Sequence, residues 1–200
     1  MCTYGSYYEK FSNEVIENID GELPFNLPKT WCWTRLGDIG IWRAGSTPSR
    51  SHPEYYGGTI PWLKTGDLND GFINSVSEYI TQDGMNNSSV ILNPIGSVLI
   101  AMYGATIGKV GIANIELTTN QACCACLPYN KIHNRFLYYF LISQRDNFIS
   151  RGTGGAQSNI SKEKLISTLF PLPPYLEQIR IVNCIDNLLS IINYIEKSLV

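Results

Sequence analysis

The sequence is poor in charged residues and carries no excess of positive charge. Asp, Glu, Lys and Arg make up only 16% of its 200 residues, whereas an average globular protein has about a quarter. The formal net charge is −2 and the pI is about 5.7. These values exclude a protein that grips nucleic acid by bulk charge alone. A nucleic-acid contact would have to gather the basic residues on one face, or a partner would have to supply the rest of the field.

Export signals, membrane spans and zinc-ribbon spacings are also missing. No run approaches the roughly 18 apolar residues of a transmembrane helix, and the first ten residues lack the apolar core of a signal peptide. Of the six cysteines only Cys123 and Cys126 have Cys-x-x-Cys spacing, and no second pair completes a zinc ribbon. Cys123, Cys124 and Cys126 lie in an apolar stretch that predicts a buried strand, so core thiols are favoured over a metal or redox site. We expect a cytoplasmic protein with free thiols and no membrane span.

The motifs of common enzymes are incomplete. The stretch Gly104–Lys109 resembles a phosphate-binding loop but is one residue short, and Val110 stands where Ser or Thr would bind magnesium. Leu172 replaces the polar residue that begins the Asn/Asp-Pro-Pro-Tyr motif of adenine methyltransferases. The two histidines, His52 and His133, have no obvious acid or cysteine partner, and the acids are scattered rather than clustered around a metal position. We predict a chain that is not an enzyme and binds no metal or cofactor itself.

Composition divides the chain into three parts. Residues 1–22 form a polar lead-in with a helical candidate over Tyr7–Ile19, ending at a turn signal. Residues 23–172 form the body, in which short apolar runs separated by Gly-rich turns predict strands. Residues 173–200 follow the Pro173-Pro174 break and predict a single helix. The fold class expected is α+β: a mixed, β-rich domain followed by a C-terminal helix of the coiled-coil type.

Particular elements can be predicted within the body. The runs Val90–Leu92 and Gly96–Met102 predict strands. Asn134 is a candidate N-cap for a helix from Arg135 to about Phe148, and Ser161 is a candidate cap for a short helix.

The closing helix carries an apolar seam with heptad spacing, in which residues recur at intervals of 4, 3, 4, 3 and 4. This spacing is typical of the a and d positions of a coiled coil. Since the seam spans fewer than three heptads, such a helix is marginal alone. It either packs on its own domain or pairs with a helix from another chain or segment. The seam consists of Ile181, Ile185, Leu188, Ile192, Ile195 and Leu199.

Several stretches combine glycine, hydroxyl or amide side chains and a cation. Glycines let the backbone approach a phosphate, hydroxyls donate to phosphate oxygens, and Arg, Asn and Gln match the edges of guanine and adenine. This composition suits DNA contact, although turns of any β-rich protein can have it. The stretches are Arg43–Arg50, Lys64–Asp67, Tyr103–Lys109, Thr118–Gln121 and Arg151–Asn159.

A set of landmarks in fixed order resembles the specificity subunits of type I restriction-modification systems. No single landmark is decisive, but the ordered set is specific and covers residues 20–200. The landmarks are Leu27–Ile39 with its two tryptophans, Gly45–Ser49, Tyr56–Trp62, Gly108–Lys109, Thr119–Gln121, Gly154–Ser161 and Pro171–Gln178 with its Pro-Pro-x-x-Glu-Gln ending.

The resemblance implies a target-recognition domain that reads double-stranded DNA for partner subunits. Complete subunits of the family carry two such domains separated by long helices. They dock methylase subunits, which hold S-adenosylmethionine and modify adenine, and a motor-nuclease subunit that uses ATP and magnesium. This chain has one recognition domain and one helix, so it looks like half a subunit. It would pair with a copy of itself to form a two-fold site, or it is a fragment or a recombination cassette.

We expect the basic and polar side chains of the Gly-rich stretches to contact DNA. Two other classes stay open, namely a silent recognition fragment that acts only in protein interaction and an enzyme whose residues escape recognition. The predicted DNA contacts are Arg43, Ser46, Thr47, Arg50, Lys64, Thr65, Lys109, Arg151 and Gln157.

Overall fold

The computed structural model describes residues 2–3, 6–10, 14–151 and 159–199. Within these residues the chain forms thirteen strands and five α-helices. The strands are β1 Cys2–Thr3, β2 Ser6–Lys10, β3 Ile16–Asn18, β4 Cys32–Arg35, β5 Gly40–Ala44, β6 Tyr56–Leu63, β7 Gly71–Ile73, β8 Tyr79–Ile80, β9 Val98–Ala101, β10 Val110–Ala113, β11 Thr118–Thr119, β12 Cys123–Pro128 and β13 Leu169–Leu172. The helices are α1 Gln82–Asn86, α2 Asn134–Ser143, α3 Arg145–Arg151, α4 Lys162–Ile166 and α5 Tyr175–Ser198.

A five-stranded sheet in the order β5-β12-β9-β10-β7 forms the centre of the domain. Its neighbouring strands are antiparallel, except for β10 and β7, which run parallel. Strands β9 and β10 are buried along their whole length. Such strands are apolar on both faces, as the runs Val-Leu-Ile-Ala and Val-Gly-Ile-Ala are.

Each side of this sheet packs against its own apolar core. Val98, Ile100 and Cys124 point to one side and join the main core, which includes Leu137 and Phe148 from the helices. On the other side, alternate residues join a smaller core with residues of the loops and of β6. The alternation follows from the two-residue period of a strand. The residues of the central sheet on this second face are Ile73, Leu99, Ala101, Ala113, Cys123 and Ala125.

A three-stranded sheet in the order β11-β6-β8 adjoins the second core. Strand β6 pairs in parallel with β11 and antiparallel with β8. Trp62 and Ile80 of this sheet pack with Val90 into a third cluster. Two further small sheets, β1-β2-β3 and β13-β4, complete the strand pairing of the described residues.

The mixed α and β architecture and the C-terminal helix α5 confirm the predicted fold class, while the coiled-coil character of α5 stays a prediction. Several elements confirm the expected positions. Gly96–Met102 contains β9, and Ser161 caps α4 by accepting a hydrogen bond from Lys164 N at 3.3 Å. The expected strand at Val90–Leu92 is wrong. Val90 packs against Trp62 and Ile80 instead of joining a sheet. Asn93, the residue after this run, makes an isolated β-bridge to Leu117.

The predicted helix from Arg135 to about Phe148 forms as two helices, α2 and α3, with a break at Gln144. His133 occupies the N-cap position instead of Asn134. The Asn134 side chain does not cap the helix, since its amide donates to Gly96 O at 3.2 Å.

The helical candidate over Tyr7–Ile19 is wrong in the described part of this segment. Strands β2 and β3 pair antiparallel there, with Glu9 opposite Glu17. Tertiary contacts override the local pattern, because the Arg35 guanidinium binds Glu9 at 2.6 Å and Glu22 at 2.9 Å. The hairpin is thereby tied to strand β4. The domain boundaries themselves remain predictions.

The bunched cysteines confirm the expected core thiols. Cys123, Cys124 and Cys126 are fully buried in β12, and burial raises the pKa of the Cys124 thiol to about 12. Cys32 and Cys184 are free and exposed. No cluster of metal-ligating side chains occurs in the described ranges. Nor does any helix in those ranges have the length and hydropathy needed to cross a bilayer.

Candidate nucleic-acid interface

One edge of the central sheet collects the loops that were singled out by composition. Strands β5 and β9 end at this edge while β12 and β10 begin there, because antiparallel neighbours reverse direction. Ala44 pairs with Cys124, Ala101 with Cys123, and Ile100 with Val110. Loops 45–52, 102–109 and 120–122 therefore lie along the same edge, which we call the loop edge.

The smaller sheet brings residues 64–70 to the loop edge. Strands β6 and β11 run parallel and end side by side, with Thr119 opposite Leu63. Asn120 N then donates to Leu63 O at 2.9 Å. At the far end of the segment, Asp70 N donates to Val110 O at 3.0 Å. The loop edge thus comprises residues 45–52, 64–70, 102–109 and 120–122.

The chain between Gly45 and Pro48 is fixed residue by residue. A Cβ on Gly45 would lie 2.2 Å from Thr119 O, so only glycine fits this close approach. Ser46 N donates to Thr119 O at 2.9 Å, and Ser46 O accepts from Trp62 Nε1 at 3.0 Å. The Thr47 hydroxyl bonds the side-chain oxygen of Gln121, and Pro48 O accepts a hydrogen bond from the hydroxyl of Tyr56. This loop is a rigid platform rather than a free turn.

Arg50 and Lys64, predicted from separate stretches, meet at one carboxylate. Glu78 accepts from Arg50 Nη1 at 2.5 Å and from Nη2 at 3.1 Å, and it lies 3.1 Å from Lys64 Nζ. Arg50 also lies over the Tyr56 ring, 4.0 Å from its centroid. The hydrogen bonds from Arg50 are the main reason why the pKa of Glu78 falls below its ordinary value. The cluster keeps one net positive charge at neutral pH.

The loop that holds Lys109 is supported from beneath by an ion pair. Arg145 Nη2 contacts Asp70 Oδ1 at 2.5 Å, and Arg145 Nε donates to Gly108 O at 3.0 Å. Asp70 Oδ1 also accepts from Val110 N at 3.0 Å. The pair therefore fixes both ends of the Gly108–Val110 turn, where Gly108 has a φ of 77°. Lys109 is half-buried at the top of this turn.

The remaining predicted contacts divide into described and undescribed positions. Arg43 is exposed on β5, and Thr65 begins a single turn of 3-10 helix over Thr65–Asp67. No acidic side chain in the described part of the chain forms an ion pair with Arg43 or Lys109. The side chain of Arg151, the last residue of α3, and the whole of Gln157 lie outside the described residues. Beyond them the chain returns to the loop edge, because Asn159 bridges Tyr103.

Sequence reasoning missed the two acids that organise this edge. Glu78 lies 28 residues from Arg50, and Asp70 lies 75 residues from Arg145. No local pattern connects residues so far apart. For Glu78 the connection is made by the pairing of β6 with β8, in which Trp62 N donates to Glu78 O at 3.0 Å.

The loop edge combines cations, hydroxyls, amides and rigid backbone on a half-exposed surface. Arginine and lysine can neutralise phosphates, while arginine, asparagine and glutamine can read base edges. A sequence profile described as the type I restriction modification DNA specificity domain matches residues 28–199. The chain belongs to this family.

The chain spans less than half the length of the curated relatives it matches, which are named as specificity subunits. It is 29% identical over 198 residues to the specificity subunit of the type I restriction enzyme EcoR124I/EcoR124II of Escherichia coli, covering 96% of this chain and 47% of that one. It is 32% identical over 163 residues to the MjaIX specificity subunit of Methanocaldococcus jannaschii, covering 78% and 38%.

The crystal structure of the HsdS subunit from Thermoanaerobacter tengcongensis has the same fold. The TM-score is 0.71 at 23% identity, and the match covers 88% of this chain and 41% of that one. At this identity the likeness concerns the fold alone.

Glu177 and Gln178, which end the landmark Pro171–Gln178, hold the start of α5 against the domain. Gln178 is 1% exposed, and its Oε1 accepts from His133 N at 2.8 Å. Its Nε2 donates to Pro173 O at 3.0 Å and to Lys131 O at 3.2 Å. Glu177 Oε2 accepts from Trp31 Nε1 at 3.1 Å. The landmark therefore fastens the start of α5 to the domain.

The heptad seam divides into a docked part and a free part. Ile181 packs against the main core and Ile185 is half-buried. Among the described residues, Asp186 makes the last polar contacts from α5 to the domain, an ion pair with Arg135 at 2.5 Å and a hydrogen bond from the hydroxyl of Tyr139. Residues 187–198 are all exposed. At 1.5 Å per residue they form a segment about 18 Å long. The four outer seam residues are Leu188 (55% exposed), Ile192 (49%), Ile195 (48%) and Leu199 (80%).

Proposed function

We propose that this chain is a sequence-specific DNA-recognition module of a type I restriction-modification complex. It is not itself an enzyme, and it directs adenine methylation and DNA cleavage by partner subunits. One observation carries the proposal: four stretches chosen for their composition, and Asn159 at the end of a fifth, converge on the loop edge. Family membership supports the same function.

The proposed partners are those that the family implies, since the relatives are named as specificity subunits of type I restriction enzymes. The module binds double-stranded DNA, docks on methylase subunits and reaches the restriction subunit through the complex. S-adenosylmethionine, ATP and magnesium belong to those partners, and this chain holds no cofactor. Its free cysteines support a cytoplasmic setting.

The outer part of α5 pairs with the same segment of a second copy of this chain. The exposed seam supports this pairing, since large apolar side chains at heptad spacing are stable when they face a second helix. The helix would then set the distance between two half-sites.

DNA binding is tested by measuring affinity for a target duplex against salt concentration, with the methylase subunit present. Each lysine that neutralises a phosphate contributes about 0.9 to the slope of log K against log salt. Lys64→Ala and Lys109→Ala should each lower the slope by about 1. Lys29→Ala is the matched control, because Lys29 is exposed but lies outside the loop edge.

Two outcomes contradict the proposal. If neither edge lysine alters the slope, phosphates are not bound at this edge. If the complex with methylase binds all duplexes equally, the chain is an interaction module without sequence preference. Without methylase the acidic chain should bind DNA only weakly, because it neutralises few phosphates.

Pairing through α5 is tested by sedimentation equilibrium. Ile195→Glu should shift the chain toward monomer because it places a charge in the apolar seam. Leu176→Glu is the control, since Leu176 is 79% exposed at the start of the same helix and lies off the seam. A wild-type chain that stays monomeric at high concentration contradicts the pairing.

A further inference from the structure

Arg50 is held on two sides although its side chain is 55% exposed. Glu78 accepts hydrogen bonds from both of its terminal nitrogens. One face of the guanidinium lies 4.0 Å from the Tyr56 ring centroid, and its carbon is 5.2 Å from that of Trp62. An arginine on a free surface keeps its rotamer freedom, and isolated surface ion pairs are weak. Here an ion pair and an aromatic stack act on the same group.

The backbone that carries Arg50 is fixed as well. Tyr56, whose ring lies against the guanidinium, donates its hydroxyl proton to the carbonyl oxygen of Pro48, two residues before Arg50. Trp62 donates to Ser46 O at 3.0 Å. The same two aromatic residues thus hold both the side chain and its loop. A binding group ordered in advance loses less conformational entropy when its ligand arrives.

The hydrogen bonds to Glu78 leave a defined set of donors free. A guanidinium has five N–H groups, which form an end-on edge between the two Nη atoms and a side edge between Nε and one Nη. Glu78 uses the end-on edge. Among the described residues, no acceptor bonds Nε of Arg50. The side edge therefore keeps two parallel donors, and guanine presents two matching acceptors, N7 and O6, in the major groove.

Lys64 shares the carboxylate but has a different chemistry. Its ammonium is a point charge without a planar donor pair, which suits a phosphate better than a base. Glu78 also removes one of the two positive charges of the cluster. It therefore weakens attraction to phosphates of any sequence while it orients the group that can read a base.

We propose that Arg50 reads a guanine through its Nε and Nη2 edge, and that Glu78 is the positioning residue that makes this reading specific. The inference rests on the proposed DNA-recognition function and deepens it. It assigns base reading to Arg50 and phosphate binding to Lys64 within one cluster.

The test uses the full chain with its methylase subunit and a set of duplexes in which each base pair of the wild-type target is replaced in turn. Competition binding gives the discrimination at every position. Arg50→Lys should lower discrimination at one G·C pair by about 5- to 150-fold, the worth of a bidentate contact, and leave other positions unchanged. Lys64→Gln should weaken binding to all duplexes alike and lower the salt slope by about 1.

Glu78→Gln gives the diagnostic result because it removes the negative charge and replaces one of the two oxygens that accept from Arg50 by an amide donor. Discrimination at the same G·C pair should fall, while affinity for non-target DNA should rise or stay equal. In an Arg50→Lys background, Glu78→Gln should cause no further loss of discrimination, since it acts through Arg50. Unfolding curves of each variant check that the fold persists.

Three results would overturn the inference: Arg50→Lys leaves every position unchanged, it alters a pair that is not G·C, or Glu78→Gln still lowers discrimination in the Arg50→Lys background. Failure of the proposed function is a separate outcome, because the wild-type complex would then show no preferred duplex at all.

Discussion

Replacing Gln178 with alanine should destabilise the domain strongly, because it removes a buried side chain that anchors α5. The side chain is 1% exposed and makes three hydrogen bonds to the backbone, to His133 N and to the carbonyls of Lys131 and Pro173. The bonds to His133 and Lys131 join the start of α5 to the segment that precedes α2, and the bond to Pro173 fixes the turn before α5. Alanine supplies neither an acceptor nor a donor, so all three backbone groups lose their partner.

The size of the effect follows from these three bonds. Each is worth about 1 kcal/mol net, and a buried group left without a partner costs about 1–3 kcal/mol. We expect Gln178→Ala to lower the free energy of unfolding by about 3 kcal/mol. In a chain of this size that corresponds to a fall in Tm of about 6–12 °C.

Urea unfolding followed by circular dichroism measures the change, and Asn183→Ala is the control. Asn183 is exposed on the same helix, so its replacement should stay within about 0.5 kcal/mol. Gln178→Glu gives a second reading. It keeps the acceptor for His133 N but turns a carboxylate toward two carbonyl oxygens, so its cost should shrink at acid pH, when the carboxyl becomes a donor. A loss below about 1 kcal/mol for Gln178→Ala would refute the reasoning.

Three further predictions concern other parts of the domain. Iodoacetamide at pH 8 should label the exposed Cys32 and leave Cys124 unlabelled until urea is added. The reason is that burial raises the pKa of Cys124 to about 12, and the thiolate is the reactive form. Peptide mapping that finds Cys124 labelled in the native protein contradicts this. Hydrogen bonds lower the pKa of Glu78 below its ordinary value of 4.5. The stability that the ionised carboxylate contributes is therefore present above pH 4.5 and is lost as the pH falls through the lowered pKa. The difference in unfolding midpoint between wild type and Glu78→Gln should vanish in acid, and a difference that stays constant with pH rules this out. Gly108→Ala should lower the free energy of unfolding by about 1–3 kcal/mol, because φ is 77° and the new Cβ would lie 2.9 Å from Arg145 Cγ. Gly66→Ala is the control: nothing lies within 4 Å of its new Cβ, so the same thermal melt should show no change.

Local patterns predicted those elements whose burial matches their own sequence. The apolar run at β9, the cysteine-rich strand β12 and the Ser161 cap are of this kind. The segment Tyr7–Ile19 failed because its conformation depends on Arg35, which binds Glu9 and Glu22 from a different strand. Val90–Leu92 failed because an apolar run serves equally well as a strand or as a loop packed on a tryptophan.

The candidate site was predictable in its parts but not in its assembly. Composition alone singled out Arg50 and Lys64, because glycine, hydroxyl and cation occur together around them. Nothing in the sequence indicated that both bind Glu78, or that Asp70 and Arg145 support the turn before Lys109. Those contacts arise from strand register, which places residues far apart in sequence at one edge.

The most direct test of the account is the methylation pattern of host DNA with and without this chain, in the presence of the partner methylase. If the chain directs the methylase, adenine methylation should appear at one sequence motif only when the chain is present, and Arg50→Lys should change that motif at a G·C position. A methylation pattern that is identical with and without the chain would contradict it.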